Sequence, residues 1–534
     1  MDLESLPFAS RRSPVFSSNG MVATSQPLAA QAGLEMLQNG GNAVDAAIAT
    51  AAALTVMEPT SNGLGSDGFS IVWDGNHLQG INASGRWPEA SDIEALRTKG
   101  SEQFPERGWP SVTVPGAVSM WDDLSQRYGR LSVEQLLAPA TRFAENGFPV
   151  SPVISKLWRR AKETFDSNLN PEFASWQDCF TRNGNSPVAG EIWFSPGHAA
   201  CLKGLAQRGL RDFYEGEIAA GIEAYAKSTG GDIRGTDLAA HQNEWVTPIS
   251  TQYGDLEVFE IPPNGQGIAA LQALAMLNNT GQESLGLLDE RNWHRQIEAM
   301  KLSFADAYHY VADPCSVEVP TQGMLDPDYI AARRQLITER AGDPAPGKPP
   351  RGGTVYLCCA DRDGMMISFI QSNFMGFGSG IVVPDLGISL QNRGAGFELD
   401  PEHLNVAAAG KRPRHTIIPG FLFKSGKPLG PFGVMGGEIQ PQGHLQVVAA
   451  MNDYHLNPQA ALDMPRWRWL DGRRVELEPG TDPGLIEALR RRGHEIELAE
   501  DSLFFGRGQM ICQLDSGAYV GGSEPRADGM VVGY

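Results

Sequence analysis

The sequence lacks the paired cysteine and histidine spacings by which metal sites and disulfide frameworks are usually detected. Its ten histidines show no HExxH or HxH spacing. No CxxC or CxxH motif occurs among its six cysteines, which argues against both a zinc site and a disulfide framework: Cys179, Cys201, Cys315, Cys358, Cys359 and Cys512. We therefore expect neither a metal ion nor an organic cofactor. The adjacent pair Cys358 and Cys359 lies in an apolar run and is expected to be two small buried hydrophobes rather than a redox pair.

The chain is also poor in basic residues and in long apolar runs. It has 43 lysines and arginines against 63 aspartates and glutamates, which gives a net charge of -20. A surface with this negative charge repels phosphate backbones and anionic membranes. The opening letters, MDLESLPFASRRSPVF, contain no apolar core of a secretory signal. The best membrane-span candidate, residues 43–57, is too short and is interrupted by Asp45. A cytoplasmic protein without nucleic-acid or membrane partners is expected.

Two familiar enzyme motifs are absent or stand in the wrong context. The letters GLGSDG at 63–68 satisfy GxGxxG, but they follow an alanine-rich helical pattern and precede a strand-like run. A dinucleotide site requires the reverse order, strand, loop and then helix. No GxSxG motif precedes a helix, so a serine hydrolase of that type is unsupported.

What the chain does have is the composition of a large globular protein with alternating helices and strands. It has 534 residues, of which 41% are hydrophobic and 20% charged, so two or three structural units are expected. Residues 28–38 predict a helix, Asn42 is placed to cap a second one, and Ser132 with Gln135 forms a capping-box pattern. A further amphipathic helix is predicted over 291–310.

A linker is predicted directly before a strand-like run. Residues 341–353, AGDPAPGKPPRGG, hold four prolines and four glycines, a composition typical of a surface linker. The next residue is Thr354, which opens the apolar run TVYLCCAD.

The residues after the linker predict a β-hairpin. TVYLCCAD and MMISFIQS flank the turn letters DRDG. If residues 362–364 form a three-residue loop, Thr354 stands opposite Ser372, with Cβ atoms about 5 Å apart. A two-residue turn would instead place Gln371 opposite Thr354 and turn Ser372 away.

Thr354 is a candidate N-terminal nucleophile. A threonine hydroxyl is a weak nucleophile, but a free α-amine on the same residue, with a pKa of about 8, can act as its base. That amine exists only after the Gly353–Thr354 peptide bond is cleaved. Glycine at the cleavage site tolerates a strained backbone and leaves its carbonyl open to attack. The GGT tripeptide is common, so the linker and the hairpin are what favour this interpretation.

Motifs throughout the chain carry a resemblance to a known family. They include TVYLCCADRDG, FGSGIVVPDLGISLQN, GKRP, MGGEIQPQGHLQ, GGNAVDAAIAT, GLGSDGF, VPGAV, PPNGQG, EAMKLSFADA and the terminal EPRADGMVVGY. Together they resemble the γ-glutamyltransferase family of N-terminal nucleophile hydrolases. The resemblance implies an α/β fold of four stacked layers, αββα, and self-cleavage before Thr354. It also implies a large subunit, 1–353, and a small subunit, 354–534, which remain together as one structural domain; further assembly into a homo-oligomer is left open.

The resemblance also assigns catalytic roles. It implies that Thr354 attacks the substrate amide and forms an acyl-enzyme, and that Ser372 is the hydroxyl residue hydrogen-bonded to the nucleophile. Gly436 and Gly437 match the glycine pair whose backbone N–H groups hold the oxyanion. On its own, the letters GG would indicate only a tight turn.

The acyl pocket departs from the family pattern in its charges. At the position of the family's acid that binds the substrate α-amino group, this sequence has Gly396. The only acids close to it in sequence are Glu398 and Asp400. At the position of the family's arginine that binds the α-carboxylate, this sequence has Ser84, and Arg86 lies two residues later. Arg86 is therefore one candidate for binding a substrate carboxylate, with a surface ion pair as the alternative.

Four further residues are placed in the pocket by the resemblance. Arg393 is a second candidate cation for a carboxylate. Phe374 stands where the family has an asparagine, and His415 and Thr416 stand where it has two serines. For His415, a hydrogen-bonded structural role is the alternative.

These observations predict a self-processing threonine amidohydrolase acting on a small-molecule amide. The first substrate expectation is a γ-glutamyl, glutathione-type amide. The alternative is another carboxylate-bearing amide, such as the glutaryl amides of cephalosporin acylases or oxamate. The short stretch between Phe397 and Lys411 resembles members without a lid over the site, which favours hydrolysis over transpeptidation. A non-catalytic binding relative, which would remain one intact chain, is the third interpretation.

Overall fold

A computed structural model describes residues 12–166, 171–344 and 353–534. Its α-helices, in chain order, are α1 Pro27–Gln38, α2 Ala43–Met57, α3 Ile93–Thr98, α4 Ala117–Tyr128, α5 Val133–Asn146, α6 Pro152–Asp166, α7 Ala174–Phe180, α8 Pro196–Arg208, α9 Asp212–Glu215, α10 Glu217–Thr229, α11 Gly235–Ala239, α12 Gly267–Leu277, α13 Glu290–Tyr310, α14 Thr321–Met324, α15 Pro327–Arg334, α16 Ile439–Tyr454, α17 Pro458–Asp463 and α18 Pro483–Arg491. Short 3-10 helices cover Trp109–Ser111, Pro171–Phe173, Gln282–Ser284 and Arg393–Gly396.

The strands are mostly short and belong to two large sheets and three small ones. In chain order they are β1 Val15–Ser17, β2 Gly20–Thr24, β3 Asp67–Trp73, β4 Leu78–Ala83, β5 Phe148–Pro149, β6 Ile192–Trp193, β7 Glu244–Val246, β8 Ile249–Tyr253, β9 Leu256–Glu260, β10 Gly353–Asp361, β11 Met366–Phe374, β12 Val382–Val383, β13 Ile388–Ser389, β14 Gly420–Lys424, β15 Lys427–Met435, β16 Trp467–Asp471, β17 Arg474–Leu477, β18 Glu495–Leu498, β19 Arg507–Gln513, β20 Tyr519–Ser523 and β21 Met530–Gly533.

Two seven-stranded sheets form the centre of the molecule. Sheet I has the order β21-β2-β10-β11-β3-β4-β7, and sheet II has the order β1-β20-β19-β15-β14-β9-β8. The sheets face each other through β10 and β11 on one side and β15 and β19 on the other. Helices α1 and α2 cover the outer face of sheet I, and α12, α16 and α17 cover sheet II. This arrangement confirms the predicted αββα layers.

The alanine-rich segment that could be mistaken for a membrane span is a core helix. All fifteen residues of α2 are buried, because the helix lies between α1, α5 and the strands β10 and β11. Asn42 caps it by accepting hydrogen bonds from the amides of Val44 and Asp45, and the Asp45 carboxylate accepts one from the Asn42 amide. Within the described ranges, no helix is both long and apolar enough to cross a membrane.

Other local predictions are also confirmed. The capping box of Ser132 and Gln135 begins α5, and the long amphipathic pattern forms α13. The six cysteines are free thiols. Cys358 and Cys359 are buried in β10, and burial raises the pKa of both thiols well above the usual range, so they behave as small hydrophobes.

The predicted hairpin forms with the three-residue loop. In strands β10 and β11, Val355 pairs with Gln371, which is the register expected for a loop over 362–364. The ladder shifts by one residue between Gly353 and Val355, so Thr354 lies in an irregularity at the beginning of the strand. Residues 345–352 of the predicted linker lie outside the described part of the chain.

Candidate active site

The candidate nucleophile lies at the beginning of a central strand. Thr354 is fully buried, and its hydroxyl oxygen is 3.0 Å from that of Ser372. The Phe374 amide donates a 2.8 Å hydrogen bond to the same Ser372 oxygen. The hairpin therefore brings together the two hydroxyl residues that the sequence predicted, and the Phe374 amide fixes the Ser372 side chain.

The predicted glycine pair lies at the end of the facing strand. Gly436 and Gly437 follow directly after β15 and have φ angles of 136° and 75°, a region that side-chain-bearing residues rarely adopt. The Tyr356 amide donates to the sulfur of Met435 at 3.2 Å. The end of β15 thus packs against the beginning of β10, two residues from Thr354. This is where amides for an oxyanion are expected, although that role remains a prediction.

Arg393 is a buried cation that lacks a full set of partners. One nitrogen, Nη1, donates to the Thr416 hydroxyl at 2.7 Å, and the guanidinium lies 4.2 Å from the centre of the Phe374 ring. Its Nε and Nη2 atoms have no hydrogen-bond partner among the described residues. Burial lowers the pKa of Arg393 to about 9, with Asp67 and Glu438 opposing the effect, so the side chain is still charged at neutral pH.

The unpartnered edge of Arg393 indicates an anion as its missing partner. A buried charge without a partner is costly, and the Nε–Nη2 edge of a guanidinium matches the two oxygens of a carboxylate. Phe374 connects this edge to the nucleophile, because its ring lies under Arg393 while its amide holds Ser372.

Arg86, the other candidate cation, already has acidic partners. Its Nη1 is 3.2 Å from an Asp313 oxygen, and its Nη2 is 3.7 Å from a Glu244 oxygen. It lines a separate cavity of about 450 Å³ together with Arg412 and His241. Within the described ranges, no hydrogen bond or ion pair joins Arg86 to Thr354 or Arg393. Arg86 is therefore engaged with acids that are not among the predicted site residues.

His415 is connected to the candidate nucleophile through Asp67 and Ser372, and Thr416 contacts Arg393. His415 Nε2 is 3.2 Å from an Asp67 carboxylate oxygen, and Asp67 pairs directly with Ser372 across strands β3 and β11. The Ile417 amide donates to His415 Nδ1 at 3.3 Å, so the ring proton is on Nε2. Burial lowers the pKa of His415 well below its usual value and raises the pKa of Asp67 to about 7, which Arg393 partly counteracts.

Asp67 is a site residue that sequence reasoning missed. It lies in GLGSDGF, which matches the family and fails as a nucleotide loop, but neither interpretation gives Asp67 a role in the site. A signal was available, because the strand-like run that follows has the length and alternation needed to pair with the second strand of the hairpin. The partner of that strand could not be chosen from the sequence, since many runs in the chain have the same character.

The missing family acid is explained by the path of the backbone at Gly396. A Cβ atom built on Gly396 would lie 2.8 Å from the Arg414 carbonyl oxygen, closer than such contacts normally allow. Glu398 and Asp400 are exposed, so neither replaces the acid. A different buried acid, Glu438, binds Arg414 at 3.0 Å through Oε1. The carboxylate is also close to the buried Tyr308 hydroxyl, and burial together with this acid raises the pKa of Tyr308 well above its usual value.

The short stretch after Phe397 is a compact loop. Lys411 Nζ donates to the carbonyl oxygens of Leu404 and Val406 at 2.7 and 2.9 Å. Phe397 packs with Trp87 and Phe104 in a small apolar cluster. These contacts hold the stretch between Phe397 and Lys411 against Trp87.

One group of metal-ligating side chains occurs in the described ranges, away from the candidate nucleophile. His294, Glu298 and His494 bring potential ligand atoms close together. The two imidazoles are already hydrogen-bonded at 2.8 Å, and Glu298 binds the buried ammonium of Lys301 at 2.7 Å. The acid of the group is thus already neutralised by a cation, while His494 Nδ1 has no hydrogen-bond partner among the described residues.

The four-layer αββα arrangement is the fold of N-terminal nucleophile hydrolases. The gamma-glutamyltranspeptidase family matches residues 29–534, and the chain belongs to this family. It is 36% identical over 530 residues to the glutathione hydrolase-like YwrD proenzyme of Bacillus subtilis, covering 97% of this chain and 99% of that one.

Two other relatives carry different names. The chain is 33% identical to the oxamate amidohydrolase proenzyme of Klebsiella pneumoniae, with 97% of this chain and 99% of the relative covered. It also resembles the crystal structure of a cephalosporin acylase from Bacillus halodurans, with a TM-score of 0.96, 50% identity and coverage of 100% and 99% of the two chains.

Adding a side chain at Gly396 is expected to disturb the site. Gly396→Asp and Gly396→Ala should both cost about 1–3 kcal/mol in stability, because the new Cβ atom presses on the Arg414 carbonyl. The measurement is the thermal midpoint together with the ratio of γ-glutamyl to glutaryl anilide hydrolysis. Gly323→Ala is the control, since its Cβ would meet nothing closer than 3.9 Å. A Gly396→Asp variant with an unchanged midpoint and a higher γ-glutamyl ratio would contradict this steric account.

Proposed function

We propose that this protein is a self-processing threonine amidohydrolase whose substrates carry a carboxylate on the acyl group. The observation that carries the proposal is the unpartnered Nε–Nη2 edge of the buried Arg393, linked through Phe374 to the Thr354–Ser372 pair. Support for self-processing comes from the relatives, which are named as proenzymes.

Cleavage of the Gly353–Thr354 bond converts the precursor into the enzyme. The Thr354 hydroxyl attacks the preceding carbonyl, the peptide nitrogen leaves as a free α-amine, and water releases Gly353 as a carboxylate. The two fragments stay together because β10 of the small subunit pairs with β2 of the large subunit. They form a heterodimer held by a continuous sheet.

The same atoms then act on the substrate. The α-amine accepts the Thr354 hydroxyl proton as the hydroxyl oxygen attacks the amide carbon, and the Ser372 hydroxyl orients that oxygen. The Gly436 and Gly437 amides hold the resulting oxyanion, a contribution of about 3 kcal/mol per donor in other hydrolases. The proton passes to the leaving amine, an ester to Thr354 remains, and water hydrolyses it.

Two kinds of acyl group satisfy the carboxylate requirement, and different observations favour each. A glutaryl- or oxamate-type group needs only a cation, which fits Arg393 and the absence of an acid at Gly396. A γ-glutamyl group adds an ammonium, for which the buried carboxylate of Glu438, next to Arg414 and Tyr308, is a candidate acceptor. The 50% identical cephalosporin acylase supports the first, and the glutathione hydrolase-like relative supports the second. The compact loop after Phe397 supports hydrolysis over transfer in both cases.

Thr354→Ala is expected to remain a single chain without amidase activity, because both steps need the hydroxyl. Thr354→Ser is the matched control and should still be cleaved. Intact-mass spectrometry reports the chains, and N-terminal sequencing identifies the first residue of the smaller one. Cleavage of Thr354→Ala before residue 354 would rule out the mechanism. A wild-type protein that stays intact and inert would favour a non-catalytic binding relative.

Arg393→Met is expected to raise KM for glutaryl anilide about 10- to 100-fold, since a hydrogen-bonded charge contributes about 1.5–3 kcal/mol. Butyryl anilide, which has no carboxylate, should be hydrolysed as by the wild type. Arg86→Met is the matched control, because Arg86 is already paired with acids. If Arg393→Met reduced the hydrolysis of both anilides equally, Arg393 would not be the residue that binds the carboxylate. A loss of glutaryl anilide hydrolysis alone in Arg86→Met would contradict the proposal in the same way.

A further inference from the structure

The candidate site has two parts, the Thr354–Ser372 hydroxyl pair and the Arg393 guanidinium. Asp67 and His415 form a buried pair that connects them. Both side chains are fully buried, and the Nε2–H of His415 donates to an Asp67 oxygen at 3.2 Å. Asp67 pairs across the sheet with Ser372, so it is fixed to the strand that orients the nucleophile. One end of the pair is therefore anchored in sheet I.

The other end of the pair is anchored in the segment that holds Arg393. The His415 amide donates to the Asn264 carbonyl at 2.8 Å, and the His415 carbonyl accepts from the Gln266 amide at 3.0 Å. The next residue, Thr416, accepts the 2.7 Å hydrogen bond from Arg393. A shift of the His415 ring would therefore move the hydroxyl group that sets the direction of the guanidinium.

The ring of His415 has little other polar support. Its Nδ1 receives the Ile417 amide, and one face contacts the Phe69 ring with centroids 4.6 Å apart. Asp67 therefore provides the acceptor for Nε2–H, and without it a buried N–H donor would be left unsatisfied. Loss of a buried partner costs about 1–3 kcal/mol, which is enough to favour a rearranged ring.

We propose that Asp67 and His415 are positioning residues that determine acyl specificity: their hydrogen bond sets the distance and direction between the Thr354 hydroxyl and the open edge of Arg393. The inference rests on the proposed function, in which that edge binds the acyl carboxylate. Neither residue exchanges a proton or a bond with the substrate. Their effect is confined to substrates that use both Thr354 and Arg393.

The test compares two substitutions of Asp67 that remove the same charge. Asp67→Asn keeps an oxygen that can accept from Nε2–H, whereas Asp67→Ala removes it. We expect KM for glutaryl and γ-glutamyl anilides to be at least about tenfold higher in Asp67→Ala than in Asp67→Asn. A tenfold change corresponds to about 1.4 kcal/mol, which is the contribution expected of one hydrogen bond. For butyryl anilide the two variants should differ by less than about twofold, and both should be processed into two chains.

His415→Phe provides a second variant in case Asp67→Ala fails to fold. Its ring keeps the packing against Phe69 but cannot donate to Asp67, so the same selective rise in KM is expected. Equal KM values for Asp67→Ala and Asp67→Asn, or equal losses on charged and uncharged anilides, would overturn the inference. A wild type that does not prefer carboxylate-bearing anilides would instead refute the proposed function, so the two failures are distinguishable.

Discussion

The pairing of β10 with β11 is the constraint on which the rest of the site depends. It places Thr354, the residue after the predicted cleavage point, beside Ser372 and buries its hydroxyl between two sheets. Because β10 is central, with β2 on one side and β11 on the other, the strand cannot move without breaking both ladders. A reactive hydroxyl is thus held rigidly even though a proline-rich segment precedes it in sequence.

Around this fixed point the site contains buried charges that are only partly compensated. Arg393 makes one hydrogen bond, to a hydroxyl, and contacts one aromatic ring, with Asp67 and Glu438 as the acids near it. Unpaired charges in a protein interior are unfavourable for stability, so a site of this kind is best explained by a ligand that completes it. Arg86 differs from Arg393, because its two acidic partners already compensate its charge and it requires no ligand for that purpose.

Much of the fold was predictable because the signals are local. Caps such as Asn42 act within one helical turn, and the three-residue loop of the hairpin determines its register through backbone geometry alone. That register predicts Ser372 opposite Thr354, and the two hydroxyls do meet at 3.0 Å, although the ladder is irregular at Thr354. The site was less predictable, since Asp67 and Glu438 reach it from strands and turns distant in sequence, and neither lies in a pattern that specifies a partner.

The sequence by itself determined the family, the layered fold, the candidate nucleophile and the hydroxyl beside it, because these follow from ordered motifs and short-range geometry. Only the tertiary structure shows which arginine has free donors, since Arg86 is paired with Asp313 and Glu244, whereas the buried Arg393 bonds Thr416 and keeps two nitrogens without a partner among the described residues. It also decided that Gly396 has no room for an acid, because the Arg414 carbonyl approaches from a separate segment. Such contacts depend on how distant segments pack, which no local pattern records.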